Sequence, residues 1–278
     1  MDSQRGDAAV SRGSFSASGS LATGMSRVLI LGGTTEARGL AERLAKRADL
    51  EVVLSLAGRT MSPAPLPVPV RRGGFGGAAG LAKYLIEQRI DAMVDATHPY
   101  ANVISANASA AALRSGVSFI ALRRPPWLAI DGDRWNEAAD AGDAVRMLGV
   151  RPRRVFVALG RSELTPLVKA PQHFYLIRSV DPVDRPPPLP HATYVRARGP
   201  FSEADDRALL LDHAIDTVVA KNSGGAASYG KIAAARALGV AVIMLRRPPA
   251  PDGPGVETVD DAIAWLDHTL TSAAARGV

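Results

Sequence analysis

A histidine stands between a threonine and a proline in "DATHPYAN", which runs from Asp95 to Asn102, and it is one of five histidines in 278 residues. His98 and Tyr100 can each give or take a proton, and Pro99 fixes the direction in which a following helix starts. Read as chemistry, the turn is a proton-handling pair; read as structure, it is a satisfied polar turn. Further on, "AKNSGGAASYGK" sets Lys221 directly before Asn222, Ser223, Gly224 and Gly225, with Tyr229 close behind. An ammonium beside amide, hydroxyl and open backbone N–H groups suits an anion, or negative charge that develops during a reaction. A Walker-type phosphate loop does not fit, because the lysine precedes the glycines.

Two glycine turns could hold a ligand. In "GGTTEAR", Gly32 and Gly33 permit close backbone approach, Thr34 and Thr35 bring hydroxyls, and a helix N-terminus adds partial positive charge for a phosphate. Its spacing is not G-x-G-x-x-G, so the pattern alone is weak. Thr34 or Thr35 as helix cap, with Glu36 in the first turn, is compatible with that reading. "RRGGFGG" is the other turn: Gly74 and Gly76 could line a ligand and Phe75 could pack on a flat ring. The second strand ends "LSLAGRT", with Arg59 where an NAD site usually carries an acid for the ribose. An arginine there suits a 2′-phosphate, which favours NADPH over NADH. No second histidine or acid lies at metal-ligand spacing around His98, so a metal is not expected.

The elements that must position these turns alternate regularly. "RVLILGG" reads as a buried parallel strand, "TTEARGLAERLAKRA" as a helix with Leu40, Leu44 and Ala48 on one side, and "EVVLSLAG" as a second strand. A short "VPV" piece, the helix "LAKYLIEQR", the strand "DAMVDA", a helix from about Tyr100 to Arg114 and the strand "SFIAL" follow. Strand–helix alternation implies right-handed crossovers and parallel sheets covered on both faces. The second half repeats the order: "RVFVALGRSEL", "DTVVAKNSGG" and "VIMLRRPP" match "RVLILGGTTEA", "DAMVDATHPY" and "FIALRRPP". The matched pieces lie 127, 125 and 123 residues apart (Gly33 to Gly160, Asp91 to Asp216, Phe119 to Val242). Two related α/β domains are therefore expected, at 25–135 and 136–278, each with a turn facing a ligand.

Composition narrows the function. There is no cysteine, so disulfides and thiolate chemistry are excluded. Apolar content of 47% with 22% charged residues is that of an ordinary soluble globular protein, and no stretch is long and apolar enough for a membrane span. A formal charge of +6 favours anionic partners, but sparse aromatics and the lack of long like-charge runs argue against nucleic acid. Arginines cluster as Arg71-Arg72, Arg123-Arg124, Arg153-Arg154 and Arg246-Arg247, a disposition suited to an acidic substrate. Residues 1–24 are Ser/Gly/Ala-rich without a signal-peptide core and read as a disordered extension, so a cytoplasmic location is expected.

"ILGGTTEAR", "VDATHPYA", "LRRPPW", "GRSEL", "RGPFSEADDRALL" and "KNSGG", in this order between Arg27 and Trp265, resemble the precorrin-6A reductase family of cobalamin biosynthesis. The resemblance implies two Rossmann-like domains with an interdomain cleft and NADPH as hydride donor. It implies hydride delivery to C19 of the macrocycle of precorrin-6A or cobalt-precorrin-6A, and protonation at C18. NADPH would then lie on the first domain, against Gly32, Gly33, Thr34, Thr35, Glu36, Arg59, Gly74, Gly76 and Thr97. A polycarboxylated tetrapyrrole would lie across the cleft against Arg161, Ser162, Asn222, Ser223, Gly224 and Tyr229. Lys221, His98 and Tyr100 would be the catalytic groups, and neighbouring enzymes of the pathway would be the protein partners. The competing expectation is a non-catalytic two-domain binder of an acidic ligand or nucleotide.

Overall fold

The computed structural model describes residues 25–57 and 65–276. The expected N-terminal extension and Arg59 lie outside the described residues. The first half forms β1 (Ser26–Leu31), α1 (Thr35–Leu44), β2 (Leu50–Leu56), β3 (Val70–Arg72), α2 (Gly77–Glu87), β4 (Ala92–Asp95), α3 (Asn102–Ser115) and β5 (Ser118–Leu122). Next come β6 (Trp135–Ala138), α4 (Ala141–Leu148), β7 (Arg154–Ala158), β8 (Phe174–Ser179), β9 (Ala192–Arg196) and α5 (Glu203–Asp212). The chain then forms β10 (Thr217–Lys221), α6 (Gly230–Leu238), β11 (Ala241–Leu245), β12 (Gly255–Val256) and α7 (Val259–Arg276).

The strands build two six-stranded sheets, ordered β12-β5-β4-β1-β2-β3 and β6-β11-β10-β7-β8-β9. Every pairing is parallel. An all-parallel sheet must be covered on both faces, which is why its strands read as unbroken apolar runs. In the first sheet, Val28, Ile30 and Leu54 pack with Leu40 and Leu44 of α1 and Leu266 of α7 on one face. Leu29, Leu31 and Met93 pack with Leu81 and Leu85 of α2 and Ala108 of α3 on the other. The second sheet is covered by α4 on one face and by α5 and α6 on the other.

The repeat read in the sequence is visible in the topology. Five strands of each sheet share one order, fifth-fourth-first-second-third, and the sixth comes from the other half. After β5 the chain crosses through "RRPPW" and lays β6 beside β11; after β11 it crosses through "RRPP" and lays β12 beside β5. The expected division at 135/136 therefore needs correcting for residues 255–276, which complete the first sheet. Their reason is contact: β12 pairs with Ala121 and Leu122, and Ala262, Leu266 and Leu270 of α7 join the first core.

Local departures from the expected elements have simple causes. The helix expected from Tyr100 begins at Asn102, after the proline turn. "GRSEL", matched to the start of α1, and the residues that follow it form two short 3-10 helices, Arg161–Glu163 and Thr165–Lys169. Pro166 has no N–H to offer a longer α-helix there.

Candidate functional site

Strand C-termini from both sheets open on one cleft of about 990 Å³. Parallel sheets present their ligand sites at that end, where helix N-termini converge. Gly33 to Glu36 and His98 form the wall from the first sheet, and Arg124 lies on the crossing between halves. Gly160 to Glu163, Arg178, Lys221, Ser223 and Lys231 come from the second.

At the first wall, the Thr34 hydroxyl accepts from the Ala37 N–H at 3.1 Å and donates to the Ala96 carbonyl at 2.8 Å. It caps α1 and ties the turn to the strand beside it. The two glycines have different reasons. A Cβ on Gly32 would meet Leu54 Cδ1 at 2.6 Å, so that glycine is set by packing. Gly33 has φ +132° with nothing within 4 Å of a built Cβ, so its backbone faces open space. With the Ala37 N–H taken by Thr34, the Thr35 and Glu36 N–H groups are the first-turn donors of α1 without an intrahelical acceptor, and both residues line the cleft. The turn therefore fits a phosphate. Glu36 would oppose one, but its carboxylate is paired with Arg124. Gly74 and Gly76 do not line this cleft. Arg71 donates to the Gly73 and Gly74 carbonyls at 2.7 and 2.9 Å and lies 3.7 Å over the Phe75 ring, so that loop is held by its own side chains.

"DATHPYA" divides its work. Asp95 is buried, and its Oδ1 accepts from the Thr97 N–H at 3.1 Å and hydroxyl at 2.6 Å, which turns Thr97 inward and away from the cleft. His98 Nδ1 accepts from the Tyr100 N–H at 3.3 Å, so the ring proton sits on Nε2, 3.2 Å from Ser223 Oγ. Burial, with Arg124 and Lys221 nearby, pushes the imidazole down to about 3. His98 is thus neutral across ordinary pH and links the two turns as a hydrogen-bond donor. The Tyr100 hydroxyl donates to the Leu245 carbonyl at 2.5 Å and accepts from the Asn222 N–H at 2.8 Å. Mainly through burial, the phenol is pushed up to about 12. Expected as catalytic, Tyr100 is placed as a strut between the halves, outside the cleft lining.

The neutral imidazole has a consequence for stability. Between pH 6.5 and about 3 the unfolded chain takes up a proton that the folded protein refuses. The contribution is therefore complete above 6.5 and lost as pH falls. His98→Gln should flatten this part of the acid profile: from neutral pH to about pH 4, Tm should fall less in the variant than in the wild type. Equal slopes would show that the ring is not held neutral.

The second wall is built around Lys221, whose Nζ lies 2.5 Å from Glu163 Oε2 and 4.9 Å from the Tyr100 ring centroid. The same carboxylate oxygen accepts from the Gly160 N–H at 2.9 Å, which fixes its position. Arg161 and Ser162, expected at substrate, do line the cleft, as do Ser223 and Gly224. Gly224 has φ +66°, and a Cβ there would meet the Pro125 carbonyl oxygen at 2.1 Å, so only glycine fits. Asn222 is turned elsewhere: its side chain accepts from the Trp127 N–H at 2.8 Å and donates to the Trp127 carbonyl at 2.9 Å. Tyr229 packs on Trp127, and its hydroxyl accepts from Arg236 at 3.0 and 3.1 Å, away from the cleft.

Glu163, Arg124, Arg178 and Lys231 also line the cleft, and none of them was among the site residues expected from sequence. Glu163 had a signal, its alignment with Glu36 in the repeat. Arg124 had another, the doubled "RRPP"; with Arg247 it grips the Ser223 carbonyl at 2.7 and 2.9 Å and knits the two crossings. Arg178 is paired with Asp206, both almost fully buried, and lies 3.7 Å over the Phe201 ring. Lys231, 3% exposed, donates to the Ser228 carbonyl at 2.5 Å and lies 4.9 Å from the Trp127 ring. Burial first, then the Arg178 charge, pushes its ammonium down to about 7.

A sequence profile of the family described as precorrin-6x reductase CbiJ/CobK matches residues 27–267. A precorrin-6A reductase of Sinorhizobium sp is 54% identical over 247 residues, 89% of this chain and 95% of that one. A second, from Rhodobacter capsulatus, is 48% identical over 255 residues, 91% and 100% of the two chains. Among solved structures, one described as CobK precorrin-6A reductase superposes with a TM-score of 0.85 at 47% identity, covering 88% of this chain and 97% of its own.

Proposed function

This chain belongs to the precorrin-6x reductase family, and on that footing we propose that it is an NADPH-dependent reductase of precorrin-6A in cobalamin biosynthesis. The observation that carries the reading is the shared cleft, in which a phosphate-compatible glycine–threonine turn faces a wall of cations. When bound at that turn, the dihydronicotinamide supplies a hydride, which the family resemblance directs to C19 of the macrocycle with a proton going to C18. Gly33 and the Thr35 and Glu36 N–H groups at the start of α1 would hold the diphosphate. His98 and Arg124, both bonded to Ser223, set the distance between the cofactor turn and the substrate turn. Lys221 faces the substrate as a fixed cation, favouring the transition state as the conjugated system gains electron density.

The test is single-turnover loss of NADPH absorbance with precorrin-6A as acceptor. A tight complex with no absorbance loss would make the protein a two-domain binder. Arg59 gives a second handle: a guanidinium can pair bidentately with the 2′-phosphate. Arg59→Ala should raise the Kd for NADPH far more than that for NADH. Equal effects on both cofactors would remove Arg59 from the site.

A further inference from the structure

Reduction of a conjugated double bond consumes a proton as well as a hydride, and few cleft groups can give one. His98 is a neutral imidazole whose Nε2 proton points at Ser223. The Tyr100 hydroxyl is already bonded on both sides, and that of Tyr229 faces Arg236 outside the cleft. Lys221 donates to Glu163, and giving up a proton there would leave a carboxylate without its cation.

Lys231 is placed differently. It is the second residue of α6, in a helix start that cannot shift easily, because a Cβ on Gly230 would meet the Phe201 and Ser202 carbonyl oxygens at 2.7 Å. Its side chain is buried along the Trp127 ring and reaches the cleft, where its nitrogen meets one acceptor, the Ser228 carbonyl. Among the described residues no carboxylate bonds to it, unlike Lys221 and Arg178. We infer that Lys231 is the catalytic acid of this site, delivering the proton to the substrate carbon adjacent to the one that accepts hydride. This rests on the reductase reading. One carbon of the double bond gains the hydride, and its neighbour bonds the proton with the electron pair released from the π bond. The nicotinamide leaves oxidised, Lys231 is left as a neutral amine, and water returns its proton.

The charged and titratable groups bearing on Lys231 come from several elements. Arg178 on β8 opposes its charge, Asp206 on α5 favours it, and His98 across the cleft is held neutral partly by it. The balance favours loss of the proton near pH 7, as a general acid working at neutral pH requires. A general acid works while protonated, so the rate should be high near pH 6 and fall above about 7.

Lys231→Arg keeps the cation, and with it any attraction for substrate carboxylates, but holds its proton. The expected result is a single-turnover rate about 100-fold or more below wild type, with substrate Kd and Tm little changed. The falling limb above pH 7 should vanish. A readout independent of turnover is the NMR titration of the Lys231 side chain in the protein alone, expected near pH 7. Lys231→Arg with the wild-type rate and limb would overturn the inference, as would a side chain that stays charged beyond about pH 9. Lys231→Met that raises Kd without slowing the bound reaction would make the lysine an anchor and overturn it as well. If the wild type oxidises no NADPH with precorrin-6A, the reductase reading falls first, and that outcome is distinct from all of these.

Discussion

Lys221→Ala is expected to lower kcat by about 10²- to 10³-fold while KM stays within a few-fold, the signature of a group that acts on charge present only in the transition state. Lys221 closes β10 at the mouth of the second sheet, and its ammonium is held by Glu163, which is held in turn by the Gly160 N–H. Such preorganisation lets one cation act strongly, because no reorientation is needed when charge develops. The paired carboxylate complicates a single deletion, since Lys221→Ala also leaves Glu163 facing the cleft without a partner. Glu163→Gln and the double variant separate the two effects. If Lys221 is the active group, Glu163→Gln should cost less than Lys221→Ala, and the double variant should be about as slow as Lys221→Ala. A large rise in KM at unchanged kcat would instead make Lys221 an anchor for a substrate carboxylate.

The second large effect concerns stability. Arg178→Ala should destabilise the protein by about 3–5 kcal/mol, because it strands the Asp206 carboxylate in the interior. The two side chains are 7% and 2% exposed, and Asp206 Oδ2 already has no hydrogen-bond partner among the described residues. A domain of this size loses roughly 2–4 °C per kcal/mol, so Tm should fall by about 10 °C. Replacing both partners, as Arg178→Met with Asp206→Leu, removes the stranded charge and should recover most of that loss. Thermal unfolding of the three proteins is the measurement. If the double variant is as unstable as Arg178→Ala, the pair matters through packing on Phe156 and Phe201 instead of through charge.

The sequence by itself determined the α/β class, the internal repeat and the two polar turns at strand ends. These are local properties: an apolar run such as "RVLILGG" encodes a buried strand whatever surrounds it, and Gly-Thr-Thr encodes a helix start. Family likeness was also legible there, in "DATHPYA" and "KNSGG". Which polar groups face the ligand was not. Thr97, Tyr100 and Asn222 carry the right chemistry in the right turns, yet their side chains satisfy Asp95, Leu245 and Trp127. A buried carboxylate or backbone group needs a partner, and the nearest polar side chain is drawn into that role. Lys231, on a helix face that reads as core, reaches the cleft only because α6 starts against the Phe201–Ser202 turn. The exchange of β6 and β12 between sheets was equally hidden. Nothing in a four-residue or two-residue strand says which edge it will join; the crossings do, and Arg124 and Arg247 lock them through carbonyls roughly a hundred residues away. Partners so far apart in the chain are chosen by the assembled core, and that choice exists only in three dimensions.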